Sequence, residues 1–301
     1  MKNFRLLSLY VLLIVSLSLP TTPVSADSPK RIISLAPNIT EILFAMGLGD
    51  SITGVTSFCD YPEQAKKKPK VGGMSNPSLE AVVSLKPDIV VMTTDGNSKE
   101  FEERLRSLQV KTYVFRARKL AELPQGIRDM GSALGVTERA YALAKEIETA
   151  INTYKVKSQP FSATRRGEES EVMSRNSKVK DSSLSLKKKV LFIVWPEPLI
   201  VAGPGTEIDD VISLLGYKNI ASTAKTSYPK YSIEEIIQQS PDVIFIGKGH
   251  TDMKEMSQGL LRKIGSVPAV KNGSVFFLSD SLYRLGPRVI KGIREMAACL
   301  R

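Results

Sequence analysis

Residues that carry covalent or metal chemistry are scarce in this chain of 301 residues. It has one histidine, His250, and two widely separated cysteines, Cys59 and Cys299. Zinc and iron-sulfur centres need clustered ligands, and a serine hydrolase needs a Gly-x-Ser-x-Gly turn with a histidine base. Residues 247–250, Gly-Lys-Gly-His, also lack P-loop spacing. The sequence therefore argues against an enzyme and against a resident metal or cofactor, and we expect both cysteines to be unpaired.

Residues suited to binding a ligand follow the predicted strands. Trp195, the only tryptophan, ends an apolar run at 190–194, Pro37 and Asn38 follow one at 32–35, and Asp60 and Tyr61 follow one at 52–55. Ligands collect at the carboxyl ends of parallel strands, where rigid aromatic rings offer flat apolar faces. We predict that Trp195 and Tyr61 line a cleft. The alternative for Trp195 is that its side chain only fills space within a loop. Pro37 and Asn38 are predicted mainly to form a turn and a helix cap, and any contact with a ligand would be incidental.

The elements that position these residues include an internal repeat. Residues 78–89 (SLEAVVSLKPDI) and 232–243 (SIEEIIQQSPDV) lie 154 positions apart and share Ser, Glu, Pro and Asp in register. Each copy predicts a Ser-capped amphipathic helix, a Pro-Asp stop and a buried strand. The tripeptide Thr-Glu-Ile, at 40–42 and again at 206–208, is a second repeated motif. Two copies at this spacing indicate a pseudo-dimer of lobes rather than a solenoid.

Strands alternate with helices throughout the first half of the chain. Runs at 32–35, 52–55, 89–92 and 111–115 predict strands, and residues 98–108 predict a helix. Asn38 with Glu41 predicts a capping box, and Gly47 ends that helix. This order predicts an α/β fold: two Rossmann-like lobes with parallel sheets covered by helices on both faces.

A long helical pattern separates the two lobes in sequence. Residues 137–154 are rich in helix formers and contain neither Gly nor Pro. This segment is either a surface helix of the first lobe or a stiff strut joining the lobes, and we favour the strut. The predicted organisation is a signal peptide at 1–26, an N-terminal lobe at 27–136, a bridging helix at 137–157, a basic insertion at 158–188 and a C-terminal lobe at 189–301.

The amino terminus predicts export. Lys2 and Arg5 precede an apolar run at 6–19 and a small-residue site ending at Ala26, which is the layout of a cleaved secretory signal. The run is short for a membrane span, so we expect a periplasmic protein that does not span the membrane. Removing the signal lowers the formal charge from +11 to +9. The Ser-rich insertion carries part of that excess and predicts a flexible, solvated loop rather than a nucleic-acid site.

A set of motifs resembles the periplasmic substrate-binding proteins of ABC importers for cobalamin, haem and ferric siderophores. The motifs are RIISLAPNITEI at 31–42, CDYP at 59–62, VGG at 71–73, NPSLE at 76–80, LKPD at 85–88, WPEPL at 195–199, SD at 279–280 and RLGPR at 284–288. The resemblance covers most of the chain outside the insertion and is strongest to the cobalamin-binding branch. It implies two lobes bridged by one long helix, with the ligand in the cleft between them and little hinge motion.

The resemblance also implies roles for individual residues. Asp280 and Arg284 would line the cleft, although four residues apart near the last helix they are equally interpretable as a local ion pair. The relatives carry a tryptophan in the first lobe where this chain has none, so Met74 or Phe58 is expected to fill that wall. The ligand expected from the resemblance is a corrinoid such as cobalamin, transported rather than used as a cofactor, by a monomer.

Glu80 and Glu234 occupy the same place in the two repeat units. Each lies in the first turn of a helix, where a carboxylate stabilises the helix dipole. Their duplication also suits docking on a permease of two like subunits, and by the resemblance each Glu meets a permease arginine. Alternatives remain open for the function: a ferric siderophore or haem as ligand, or an exported two-domain enzyme or chelatase.

Overall fold

The computed structural model describes residues 28–158, 187–248 and 252–300. The predicted signal peptide, His250 and residues 159–186 of the predicted insertion lie outside the described residues. No helix within the described ranges has both the length and the apolar character to cross a bilayer.

The N-terminal lobe is a four-stranded parallel sheet with helices around it. Its strand order is β2-β1-β3-β4. The strands are β1 (Ile32–Ser34), β2 (Ile52–Val55), β3 (Ile89–Thr93) and β4 (Thr112–Phe115). The helices are α1 (Pro37–Ala45), α2 (Glu63–Lys66), α3 (Leu79–Ser84), α4 (Lys99–Ser107) and α5 (Leu123–Ala133). Gly47 follows α1 with a φ of +74°, which confirms it as the predicted stop.

The C-terminal lobe repeats this design with one difference. Its strands are β5 (Lys189–Pro196), β6 (Leu199–Val201), β7 (Lys218–Asn219), β8 (Val243–Gly247) and β9 (Val275–Leu278), in the order β6-β5-β8-β9 with β7 also on β5. Its helices are α7 (Glu207–Leu214), α8 (Ile233–Gln239), α9 (Met253–Lys263), α10 (Pro268–Lys271) and α11 (Val289–Cys299). The sheet is mixed rather than all parallel, because β6 is antiparallel to β5. The link between these two strands is too short for a parallel crossover.

Helix α6 (Thr137–Ser158) joins the lobes. Its buried residues Ala140, Ala144 and Ile147 belong to one hydrophobic core that includes Ile39 of the N-terminal lobe and Val211 of the C-terminal lobe. Two further cores cover the outer faces of the two sheets. The helix is therefore packed into both lobes, which confirms the predicted bridge.

The repeat units fold alike. Ser78 accepts a hydrogen bond from the amide of Ala81 at 3.2 Å, and Ser232 accepts one from the amide of Glu235 at 3.1 Å. The residues that end these helices, Lys86 and Ser240, both have positive φ angles, of 47° and 48°. They lie 154 positions apart, as the caps do, so the repeat extends to backbone conformation.

The aspartates that close the repeat units anchor the first strand of each lobe. Asp88 accepts a hydrogen bond from the amide of Arg31 at 2.9 Å, and Asp242 accepts one from the amide of Lys189 at 2.7 Å. In return, the amides of both aspartates donate to the carbonyls of those same residues at 2.8 Å. Each Pro-Asp stop thus sets the start of two neighbouring strands.

Candidate functional site

The segments that follow the strand ends tie the two lobes together. Asn38, in the helix after β1, donates from its side-chain amide to the carbonyl of Leu285 at 3.5 Å. The amide of Leu120, after β4, donates to Asp210 of α7 at 2.7 Å. The carboxyl ends of both sheets therefore lie at the lobe junction, and such strand ends are where open α/β sheets bind ligands.

A buried carboxylate, Glu41 of α1, lies at the centre of the lobe junction. Arg288 donates to both of its oxygens, from Nε at 3.0 Å and from Nη2 at 2.8 Å. Nη1 of Arg284 donates to Oε1 at 3.2 Å. Both arginines come from the C-terminal lobe, so Glu41 joins the lobes through charge-assisted hydrogen bonds.

The loop after β2 completes this junction. Arg284 donates from Nη1 to Asp60 at 2.5 Å and from Nη2 to the carbonyl of Phe58 at 3.2 Å. Burial opposes the charge of Arg284, but the hydrogen bond to Asp60 and the charges of Asp60 and Glu41 outweigh it and raise its pKa. Arg284 therefore stays cationic and holds the 58–60 loop against the C-terminal lobe.

Asp280 and Arg284 do not form the local ion pair that was one reading of their spacing. Asp280 lies in a 3₁₀ turn (Asp280–Leu282), and the last helix begins only at Val289. Arg288 Nη1 donates to Asp280 at 2.9 Å, whereas Arg284 reaches across the junction. Because that turn intervenes, the i,i+4 geometry assumed from the sequence is absent. Both residues nevertheless lie at the junction.

Pro37 and Asn38 are placed differently from the prediction. Helix α1 begins at Pro37, and its N-cap residue Ala36 makes no side-chain capping bond. The predicted capping box of Asn38 with Glu41 is therefore wrong. Proline suits the first helical position, which puts Asn38 inside the helix, and the Glu41 carboxylate is occupied by the two arginines.

Two exposed aromatic side chains of the N-terminal lobe lie beside the lobe junction. Phe58 is 61% exposed and Tyr61 is 48% exposed. The guanidinium carbon of Arg288 lies 4.4 Å from the centroid of the Tyr61 ring, within the range of a cation-π contact. This contact orients Tyr61 while leaving much of its ring accessible to a ligand.

Met74 packs beside the loop that follows β3. A Cβ on Gly96, whose φ is +103°, would clash with the Met74 Cε atom, so glycine permits this close approach. Asn97 holds the same region together by donating to the carbonyls of Leu35 and Met74, at 3.1 and 2.8 Å. Met74 is thus fixed at the carboxyl edge of the first sheet.

Trp195 is not among the residues that the structure brings to the junction. It is partly buried and packs against the outer core of the C-terminal lobe, with Leu191 and Ile193. Its indole N–H donates to the carbonyl of Glu197 at 2.7 Å. Leu191, Ile193 and Trp195 thus pack in the outer core of this lobe, whereas Phe192 and Val194 pack in the core that the two lobes share.

The structure places two tyrosines at the cleft that sequence reasoning missed. Tyr283 packs over Gly247 at the end of β8, and its hydroxyl lies 3.5 Å from the carbonyl of Val194 at the end of β5. Tyr228 is 48% exposed. Although much of the ring is exposed, burial of the hydroxyl group, followed by the charges of Glu207 and Asp95, raises the pKa of Tyr228. The sequence did contain a signal that could have identified Tyr228 as a site residue, because Tyr228 precedes a proline as Tyr61 does.

Acidic groups from both lobes lie near Tyr228. Asp95 follows β3 in one lobe, and Glu207 opens α7 in the other. Burial raises the pKa of Glu207 to about 7. The hydrogen bond from its own amide lowers this pKa, and the charges of Asp95 and Asp210 raise it further.

No group of three or more His, Cys, Asp or Glu among the described residues could hold a metal ion. Cys59 and Cys299 are free thiols.

Glu80 and Glu234 lie away from the lobe junction. Both are exposed in the first turns of α3 and α8. Neither forms a salt bridge in the described part of the chain. The capping box at Ser232 is completed by Glu235, whose carboxylate accepts from the Ser232 amide at 2.6 Å. Glu234 is therefore not needed for that cap.

The chain is similar to known binding proteins along nearly its whole length. The family described as periplasmic binding protein matches residues 32–158 and 169–282. A vitamin B12-binding protein of Vibrio vulnificus is 27% identical over 287 residues, covering 95% of this chain and 93% of that protein. An uncharacterized ABC transporter substrate-binding lipoprotein of Bacillus subtilis is 29% identical over 274 residues, 89% of this chain and 79% of that protein.

Solved structures of periplasmic binding proteins are also similar to this chain. The periplasmic vitamin B12 binding protein BtuF of Vibrio cholerae superposes with a TM-score of 0.73 at 25% identity, covering 91% of this chain and 97% of that one. The periplasmic haem-binding protein RhuT of Roseiflexus, in its apo form, also has a TM-score of 0.73, at 26% identity, with 90% and 97% covered. Proteins of this architecture therefore include binders of different macrocycles.

Proposed function

Because the chain belongs to the periplasmic binding protein family, we propose that it captures a corrinoid in the cleft between its lobes and delivers it to an ABC importer. The observation that carries the proposal is the pair of exposed tyrosines, Tyr61 and Tyr228, one from each lobe. Rigid aromatic faces suit a broad flat ring. Carboxylates such as Asp95 and Glu207 suit the amide donors at a corrinoid's rim. The vitamin B12-binding relatives support the same ligand.

Delivery requires a surface for the importer. We assign this to Glu80 and Glu234, which are exposed at equivalent positions of the two lobes. Their carboxylates would meet one basic side chain on each of two like permease subunits. Export would proceed through the signal at residues 1–26, cleaved near Ala26, and the mature protein would act as a monomer in the periplasm.

Haem is the second candidate ligand, because RhuT is as similar in structure as BtuF. A haem macrocycle would use the same aromatic walls. Its propionates, however, would lie near Asp95 and Glu207, where like charges repel. A ferric siderophore is a third ligand of the same importer class.

Visible spectroscopy tests the proposal directly. The purified mature protein is mixed separately with cyanocobalamin, haemin and a ferric hydroxamate, and each sample is desalted. All three ligands are coloured, so the retained absorbance identifies what is bound. We expect one equivalent of cobalamin to stay with the protein. Retention of haemin or the siderophore without cobalamin would reassign the ligand.

A further inference from the structure

Two exposed aliphatic residues lie at equivalent positions of the repeat. Val83 on α3 is 37% exposed, and Ile237 on α8 is 40% exposed. They lie 154 positions apart, the spacing of the repeat itself, and each follows the proposed docking glutamate by three residues. Residues three apart on a helix are neighbours on one face. Each lobe therefore presents a carboxylate beside a β-branched apolar side chain.

Common descent of the two units does not by itself account for this pattern. Ser78 and Ser232 are shared because they cap helices, and Val82 and Ile236 because they are buried. Another exposed position of the two helices has diverged, since Ser84 corresponds to Gln238. Glu80 and Glu234 suit the helix dipole, but Val83 and Ile237 keep their apolar character although neither belongs to a hydrophobic core of the described residues.

The C-terminal lobe adds a recess of mixed polarity next to Glu234. A cavity of about 330 Å³ opens between α8 and α9, where apolar residues such as Leu199, Ile233 and Met256 line it together with the polar residues Glu197, Ser232 and Lys263. Ile233 directly precedes Glu234, and Met256 is one of the exposed large apolar side chains. Part of the wall of this recess is thus apolar and lies next to the proposed docking glutamate.

We propose that each lobe docks on the permease through a two-part patch, Glu80 with Val83 on one lobe and Glu234 with Ile237 on the other. The occupant is a permease of two like subunits, each presenting a basic side chain next to an apolar one. The carboxylate provides charge complementarity and orientation, and the aliphatic group supplies apolar burial. This inference rests on the proposed delivery to an ABC importer and adds an apolar half to its interface.

The test uses the full mature protein and the importer reconstituted in lipid nanodiscs. Val83→Asn with Ile237→Asn is compared with Leu108→Asn, which alters another exposed aliphatic residue, 51% exposed, outside both patches. The concentration of binding protein that half-stimulates the importer's ATPase is measured for each. We expect the Val83/Ile237 variant to require roughly tenfold more protein, the Leu108 variant to match wild type, and the exchange Val83→Ile with Ile237→Val to retain full stimulation.

The outcomes separate this inference from the proposed function. Cobalamin titrations and melting curves of all variants are expected to match wild type, because the altered residues are exposed and lie outside the cleft. If Val83→Asn with Ile237→Asn stimulates like wild type while Glu80→Lys with Glu234→Lys does not, the apolar half is wrong and docking by charge stands. If neither pair alters stimulation, both assignments are wrong. If only the Leu108 variant loses stimulation, the docking surface lies elsewhere.

Discussion

Tyr61 and Tyr228 share a local Tyr-Pro motif, one on each lobe. Each tyrosine precedes a proline, and each is 48% exposed. Arg288 stacks on one and Glu207 lies near the other, so the two rings stand in different electrostatic settings. A ligand held between them would contact a ring backed by a cation on one side and a ring flanked by carboxylates on the other.

Replacing either tyrosine by alanine is expected to weaken corrinoid binding by about 1–3 kcal/mol, as for a buried aromatic anchor. Titration of the cobalamin spectrum measures the effect. Tyr141→Ala is the matched control, because Tyr141 is an exposed tyrosine on α6. Equal affinity of the Tyr61, Tyr228 and Tyr141 variants would remove both rings from the site. Trp195→Ala, measured in parallel, tests the sequence-based assignment of Trp195 to the cleft.

Glu207 is expected to make stability depend on pH. Its pKa of about 7 in the folded protein is above that of an ordinary glutamate. The folded state therefore binds more protons than the unfolded state between pH ~4.5 and ~7, and stability falls as the pH rises through this window. Glu207→Gln removes the charge. We expect it to raise stability at pH 8 by about 1–3 kcal/mol and to have little effect near pH 4.5.

Chemical denaturation of the wild type and the Glu207→Gln variant at pH 4.5, 6 and 8 measures this difference. Glu234→Gln, which makes the same substitution at an exposed glutamate at the start of α8, serves as the control. A stability difference between wild type and Glu207→Gln that stays constant across this range would contradict the assignment of the raised pKa.

At the scale of elements, α1 and the segment before α11 form the electrostatic contact between the lobes. Two cations, Arg284 and Arg288, meet three carboxylates, Glu41, Asp60 and Asp280. Gly286 lies between the arginines, and a Cβ there would be 3.6 Å from a Glu41 oxygen. Because this contact is buried and charged, it favours one relative orientation of the lobes, in keeping with the small hinge motion that the resemblance implies.

Glu41→Gln is expected to loosen the lobe junction. The amide keeps the size of the side chain but leaves the half-buried Arg284 and Arg288 without the carboxylate that they share, which is expected to cost about 3 kcal/mol. Spin labels placed on α4 and α10 report the distance between the lobes in the ligand-free protein, and the distribution of distances should broaden.

The matched control is Glu148→Gln, which breaks an ion pair with Arg128 of 2.6 Å between α5 and α6. That pair is more exposed, so its loss should cost less than about 1 kcal/mol and leave the label distances unchanged. If the Glu41 variant has the narrow distance distribution of wild type, the junction does not set the lobe orientation.

At the scale of the whole molecule, the pseudo-two-fold arrangement of α3 and α8 suggests a partner with two like subunits. Glu80→Lys with Glu234→Lys is expected to leave folding and ligand affinity nearly intact. A carboxylate-arginine pair at an interface can cost roughly 2–5 kcal/mol when broken, whereas a helix-dipole effect is below about 1 kcal/mol. We therefore expect loss of ATPase stimulation and of uptake in reconstituted vesicles.

The control for this experiment is Glu100→Lys with Glu255→Lys, which reverses glutamates in the first turns of two other helices, α4 and α9. These changes reverse the same number of charges without touching the repeat helices. Full transport by the Glu80/Glu234 variant would show that these two residues only start helices.

The sequence by itself determined the features that arise within a short stretch of chain. The Ser caps of α3 and α8, the Gly47 stop, the Pro-Asp turns and the long α6 all follow from local propensity and periodicity. The duplication was readable for the same reason, since equivalent local signals recur 154 residues apart. These signals were sufficient for the fold class, and the motifs that carry the family resemblance are likewise short and local.

Only the tertiary structure decided which distant groups meet. Arg284 and Asp280 are four positions apart, yet Arg284 pairs with residues 224 and 243 positions away, because chain folding rather than helix spacing brings the lobes together. Trp195 was expected just after a strand, but it lies inside β5 and packs against the outer core of the C-terminal lobe. Tyr228, which lacks a preceding apolar strand in the sequence, reaches the cleft through the packing of its loop on Gly203.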